Sequence, residues 1–331
     1  MEIDVVKFLV VRLSSIGDIV LTSPIVRCLK QQVENAEVHF LVKKQFVDVV
    51  KHNPYIDKII EYDSNIANSL KYELYDYVID LHNNFRTLRL KNKLKIIDFS
   101  FKKLNIEKWL MVNFKINKLP EVHIVDRYFE TLKVFDVTND GKGLDFFIPQ
   151  ETENTVLKKL EEEAQKNYIA IVVGANYFTK QIPPQKISEI IKLSHKKIIL
   201  LGGQSDSEKA VLIENSLEKE DLQKVKNYCG KLTLLESAAV IKFADLVITP
   251  DTGLMHIAAA YKKKIISFWG NTIPQFGMYP YQPEESSIML ETKGLKCRPC
   301  SKIGFSKCPY KHFKCMNEIN VKASISSYLK E

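Results

Sequence analysis

Apolar residues recur along this chain in short unbroken runs separated by stretches of helical spacing, and that alternation predicts the architecture. Residues 7–13 (KFLVVRL) form a near-continuous apolar run of strand length, as expected for a parallel strand covered on both faces. Ser14-Ser15-Ile16-Gly17-Asp18 reads as a turn, and 19–31 has helical spacing. Pro24 inside that spacing predicts either a kink or a late helix start. Further strands are predicted at 37–42, 58–62 and 75–81, with a short helix at 46–52 ended by Asn53-Pro54. Strands alternating with helices imply right-handed crossovers and an open parallel sheet.

Polar residues at 149–155 and a strongly charged helix at 156–166 interrupt this series, and a second one begins. Its strands are predicted at 168–173, 197–201, 246–249 and 264–268, and its helices at 184–194, 207–218, 235–243 and 253–260. The fold class is therefore α/β, with two Rossmann-like, doubly wound parallel-sheet domains and a ligand crevice between them. The expected domains are 1–152 and 153–320, and a closing helical segment at 321–331 is expected to pack back on the first domain. No heptad run, low-complexity tract or short-period repeat is present.

Length and composition agree: 331 residues with 45% hydrophobic content suit two cored domains. No apolar run reaches the roughly eighteen residues of a membrane span, and the apolar start carries Lys7 and Arg12 without a small-residue cleavage site. The protein is expected to work inside the cell. Its net charge of +8 is unevenly spread. Arg86, Arg89, Lys91, Lys93, Lys95, Lys102, Lys103, Lys108, Lys115 and Lys118 face only Asp98 and Glu107 across 86–118, a local net of +8. Such a stretch is either a solvated face or the footprint of an anionic partner: nucleic acid, a membrane surface or a phosphorylated substrate. Phe101, Trp109, Leu110 and Phe114 lie among these charges, a mixture that suits lipid headgroups.

Three loops that follow predicted strands are placed to carry chemistry. In the first, Gly17 permits a tight turn and Asp18 stands at a helix start, either as a capping acid or as a working carboxylate. The second, Gly174-Ala175-Asn176-Tyr177-Phe178-Thr179-Lys180, offers a glycine, amide and hydroxyl donors and a lysine to a diphosphate. It is not a Walker loop, and no GxGxxG fingerprint occurs anywhere, which disfavours a nicotinamide-dependent dehydrogenase. The third, Asp251-Thr252-Gly253, ends a strand and opens an alanine-rich helix with His256 one turn inside. It reads either as a capped helix or as a phosphate site.

At these loops the chain resembles glycosyltransferase family nine, the ADP-heptose:lipopolysaccharide heptosyltransferases. The matching stretches are VRLSSIGDIVLTSPIVRCLK, GANYFTKQIPPQKISEI and CGKLTLLESAAVIKFADLVITPDTGLMHIAAA, followed by FWGNTIPQFGMYPY and CRPCSKIGFSKCPYKHFKCMNEI. They span nearly the whole chain in order. The resemblance implies a GT-B architecture and an inverting transfer of heptose from ADP-heptose to the lipopolysaccharide core or lipid A, with no metal required for catalysis. It implies Asp18 as general base, and Lys180 with Thr179 at the donor diphosphate. Asp251, Thr252, Gly253 and His256 would hold sugar and phosphates. Gly174 belongs to the same donor loop, and Gly203, Asp206 and Glu208 would lie near the nucleoside. Ser15, Gly17, Arg86 and Arg89 fall to the acceptor side, with Arg86 the first choice for an acidic group. The implied partners are a nucleotide-sugar donor, an anionic glycolipid and the inner face of the cytoplasmic membrane, not nucleic acid. An alternative within the family is another nucleotide-activated sugar passed to a glycolipid or polysaccharide. The chain departs from the family at Lys180-Gln181-Ile182-Pro183, where the family usually reads Lys-Arg-Trp-Pro. An Asp-x-Asp metal signature is absent.

The remaining feature is Cys297-x2-Cys300-x7-Cys308-x6-Cys315 with His312 nearby, four thiols in nineteen residues. Inside a cell this spacing reads as a structural thiolate zinc, the simplest candidate ahead of an iron–sulfur centre, or as reduced or loosely paired thiols. Cys28 and Cys229 read as small buried hydrophobes.

Overall fold

A computed structural model describes residues 5–160 and 167–329. The chain divides into two compact units, Met1–Leu104 with Glu121–Phe147 and Asn105–Pro120 with Ile148–Glu331.

The first unit is built on five parallel strands: β1 (Val6–Val11), β2 (Ala36–Val42), β3 (Lys58–Glu61), β4 (Tyr77–Asp80) and β5 (Ile97–Ser100). Their order is β3-β2-β1-β4-β5, with β1 in the middle. β1 pairs with β2 from Val6↔Ala36 to Val11↔Leu41 and with β4 from Phe8↔Tyr77 to Val11↔Asp80. The apolar run at the start is thus the central strand, with Phe8, Leu9, Val10 and Val11 fully buried. Leu9, Val11, Leu41, Leu70, Val78 and Leu90 share one core on a single face of this sheet. The predicted helix at 19–31 is two helices, Ile16–Val20 and Ser23–Gln32. Pro24 is the second residue of the latter, where its missing N–H costs nothing, so it marks a late start and not a kink.

The second unit carries six parallel strands: β6 (Tyr168–Val172), β7 (Lys197–Leu201), β8 (Val225–Asn227), β9 (Leu246–Pro250), β10 (Lys264–Trp269) and β11 (Ile288–Glu291). Their order, β11-β10-β9-β6-β7-β8, is the doubly wound order that reverses between β6 and β9. Ligands in such sheets sit beyond the carboxyl ends of the strands at that reversal.

Three expectations change. The closing helix is Val321–Ile325, and Val321, Ile325 and Leu329 join Ile169, Ile191 and Leu200 in the core of the second unit, so the C-terminal segment packs there and not on the first domain. The segment Asn105–Pro120 also groups with the second unit, although it lies inside the expected first domain. The charged helix is Gln150–Lys159, and 161–166 of the predicted 156–166 lie outside the described residues.

Candidate active site

In the first unit, the loop after β1 delivers Asp18 as the third residue of the short helix Ile16–Val20, with Ser15 as its N-cap. Asp18 Oδ2 accepts hydrogen bonds from the Ser15 amide at 3.1 Å and the Ser15 hydroxyl at 2.7 Å, so it does cap the helix. Its other oxygen, Oδ1, lies 2.5 Å from Arg12 Nη2. Arg12, which interrupts the apolar run in the sequence, is buried, and its guanidinium also donates to the Ser14 carbonyl, the Leu81 carbonyl and the Tyr128 hydroxyl. Burial opposes that charge, but Asp18, Tyr128 and Asp80 outweigh it and raise the Arg12 pKa. A charge-assisted bond to a planar guanidinium fixes a carboxylate's orientation as well as its position. Gly17 is buried in the same turn.

The segment expected to meet the acceptor follows β4. Asp80, fully buried, accepts from the amides of His82 and Asn83 through Oδ1. Its Oδ2 lies 3.3 Å from Lys91 Nζ, and Lys91 reaches Asp98 at 2.6 Å. Lys91 therefore leaves the basic surface and neutralises an interior carboxylate. Phe101 likewise belongs to the core, edge-on to Tyr128 at 4.8 Å. Asn84 caps the helix Phe85–Leu94 through the amides of Arg86 and Thr87. Arg86 and Arg89 are exposed on that helix and have no acidic partner among the described residues.

In the second unit, the loops after β6, β7, β9 and β10 hold the other predicted residues. Lys180 Nζ stands 2.6 Å from Asp251 Oδ2, and the same oxygen accepts from the Thr272 hydroxyl at 3.0 Å. Thr252 stands at the N-cap position without a side-chain capping bond, and Gly253 opens the helix Gly253–Ala260, with His256 buried in its first turn. Thr179 is placed differently from the expectation. It is almost fully buried, and its hydroxyl accepts from the Phe305 amide at 2.8 Å, so it braces a loop and does not face a diphosphate. Gly174 is required by a close approach, because a Cβ there would come 2.0 Å from Asp206 Oδ2. Asp206 in turn accepts from the Gly203 amide at 2.8 Å within the loop after β7, which holds its carboxylate against Gly174 of the loop after β6. Glu208 is exposed in the first turn of the helix Ser207–Asn215.

Several residues here escape sequence reasoning. Lys209 Nζ donates to the Val173 carbonyl at 2.9 Å, and burial lowers its pKa to about 8. Gln181, which replaces the family's arginine, donates to the Ala175 carbonyl at 2.9 Å. Arg298 holds the Gly270 and Thr272 carbonyls, at 2.7 and 2.8 Å, and fixes the loop after β10. The only signal for Thr272 is its place in the quoted FWGNT stretch.

The four clustered cysteines are free thiols that lie close enough to influence one another electrostatically. Burial first, and neighbouring thiols second, push Cys300 up and Cys315 up to about 12. Cys297 Sγ lies 3.9 Å from His312 Nε2. Among the described residues, no three His, Cys, Asp or Glu side chains form a set that would hold a metal ion. As placed, the four thiols do not make a closed zinc cage.

Two Rossmann-like parallel sheets, each with charged loops beyond its strand ends, give the chain the fold of the GT-B class. The profile of glycosyltransferase family 9 (heptosyltransferase) matches residues 64–307, and the chain belongs to that family. It is 26% identical over 292 residues to lipopolysaccharide heptosyltransferase 1 of Campylobacter coli, covering 80% of this chain and 84% of that one. A family 9 glycosyl transferase from Veillonella parvula superposes with a TM-score of 0.73 at 25% identity, covering 89% of each chain. The E. coli ADP-heptose lps heptosyltransferase II superposes with a TM-score of 0.72 at 18% identity, covering 94% of this chain and 98% of that one.

Proposed function

We propose that this chain transfers a heptose from ADP-heptose to the anionic core of a lipopolysaccharide acceptor, with inversion at the anomeric carbon. The family match across 64–307 carries this reading, and the two loop systems supply the chemistry. The acceptor hydroxyl oxygen attacks the anomeric carbon as the bond from that carbon to the diphosphate oxygen breaks. The hydroxyl proton passes to Asp18, whose carboxylate is oriented by Arg12 and Ser15. Negative charge grows on the departing ADP, where Lys180 and the amides at the start of Gly253–Ala260 stabilise it. A single displacement requires a base on the acceptor side alone, unlike a retaining glycosidase with its two facing carboxylates.

Arg86 and Arg89, exposed and unpaired among the described residues, are assigned to acidic groups of the acceptor. The helix Asn105–Phe114 has no buried residue and exposes Ile106, Trp109 and Phe114 beside lysines. This face is assigned to anionic headgroups at the inner face of the cytoplasmic membrane. Among the described residues, no helix is long and apolar enough to cross a membrane. The cysteine-rich segment is given no part in the transfer, and elemental analysis of protein purified without chelator reads directly whether it takes zinc.

Gln181 in place of the family's arginine favours one second reading, a different sugar nucleotide. Both are tested by offering ADP-heptose, UDP-sugars and GDP-sugars in parallel with heptose-deficient lipopolysaccharide and weighing the products. Heptose addition from ADP-heptose alone supports the first reading. Transfer only from a uridine or guanosine donor selects the second.

A further inference from the structure

The imidazole of His82 has no role in the chemistry above, yet it sits among the groups that carry it. His82 is the second residue past the end of β4, the strand paired with β1, whose own loop delivers Asp18. Its backbone is held, since the amides of His82 and Asn83 both donate to Asp80 Oδ1, at 3.0 and 2.7 Å. Asn83 adds a bond from its side-chain amide to the Phe101 carbonyl at 2.9 Å. The ring itself makes no hydrogen bond among the described residues, and its Nδ1 is buried without a partner. A buried polar atom left unmatched costs free energy, and a fixed loop that presents one within electrostatic reach of the Asp18 carboxylate is a binding feature more than a packing accident.

The chemistry of the missing partner follows from the ring's surroundings. The charged groups that act on it are Arg12 at the end of β1, Lys103 after β5, Asp80 at the end of β4 and Asp18 in the helix Ile16–Val20. Burial first, then Arg12 and Lys103, lower its pKa to about 4, so at neutral pH it is an uncharged imidazole. Such a ring offers one N–H donor and one bare nitrogen, which match an alcohol and not a phosphate.

We infer that His82 is an acceptor-binding residue that hydrogen-bonds a sugar hydroxyl of the acceptor next to the one Asp18 deprotonates. It would divide the labour with Arg86 and Arg89, the imidazole reading neutral hydroxyls and the arginines reading acidic groups. This inference rests on the proposed transfer.

The test compares the wild-type chain, His82→Ala and His82→Gln by calorimetric titration with deacylated heptose-deficient lipopolysaccharide and, separately, with ADP. One lost neutral hydrogen bond corresponds to about tenfold in affinity. His82→Ala should therefore weaken the glycan about tenfold and leave ADP unchanged, and His82→Gln, which keeps a neutral donor and acceptor, should restore most of the loss. The same split should appear in kinetics as a raised acceptor KM with kcat little altered, at about pH 6 and about pH 8 alike. The inference is overturned if His82→Ala binds the glycan like wild type, if ADP weakens in step with the glycan, or if His82→Gln fails to restore binding. A wild-type chain that ignores the glycan fails the functional reading itself, a result distinct from any of these.

Discussion

Lys180 Nζ and Asp251 Oδ2 are 2.6 Å apart, joining the loop after β6 to the loop after β9 where the order of the second sheet reverses. Both side chains are largely buried, so each is the other's main compensation. A donor diphosphate arriving there would meet a lysine already held in place by a carboxylate.

Removing the lysine should therefore have two effects. Lys180→Ala takes away the cation proposed to answer the departing diphosphate and leaves Asp251 with Thr272 as its side-chain partner among the described residues. The donor kcat/KM should fall by roughly 100-fold or more, about 2.7 kcal/mol of transition-state stabilisation, and the donor KM should rise. Unchanged donor kinetics would remove Lys180 from the diphosphate site.

Gly174 and Asp206 make a separable pair. A methyl group at 174 would overlap the Asp206 carboxylate, so Gly174→Ala should destabilise the second unit by about 1–3 kcal/mol, read as a lowered denaturation midpoint. Adding Asp206→Ala should recover much of that loss, because the residues touch and their effects cannot add independently. Additive losses would place the strain elsewhere.

Much of this was legible in advance, and the exceptions have physical reasons. Central strands announce themselves because burial on both faces demands continuous apolar runs, as in β1 and β6. β5, β8 and β11 went unread because edge strands of three or four residues with half-exposed faces carry no such run. The Asp-Thr-Gly turn and its helix were read at their observed bounds because capping and small residues mark them. Arg12 and Lys91 were misjudged, one as an interruption and one as surface charge. Each is a buried cation: the carboxylate of Lys91 ends β4, and that of Arg12 lies six residues on in the helix after β1, so the pairing shows only once the chain is folded. The amphipathic pattern near the C-terminus shows an apolar face but not which core receives it.

His82 also predicts an acid sensitivity. Its pKa is about 4 when folded against roughly 6.5 in an unfolded chain, so between those values the unfolded state binds the extra proton. Stability from this group is therefore present above about pH 6.5 and is lost as pH falls toward 4. Denaturant titrations at about pH 7 and pH 5 should show a smaller loss for His82→Gln than for wild type. Equal losses would mean that the ring is protonated as easily inside the fold as outside it.

The central claim is that Asp18, held by Arg12 and Ser15, takes the acceptor proton. Its most direct measurement is the mass of heptose-deficient lipopolysaccharide after incubation with ADP-heptose and either wild type or Asp18→Asn, alongside the affinity of each protein for ADP. The account predicts added heptose with wild type, essentially none with Asp18→Asn, and the same ADP affinity for both. Heptose added by Asp18→Asn at a near wild-type rate would reduce Asp18 to a helix cap and contradict the mechanism.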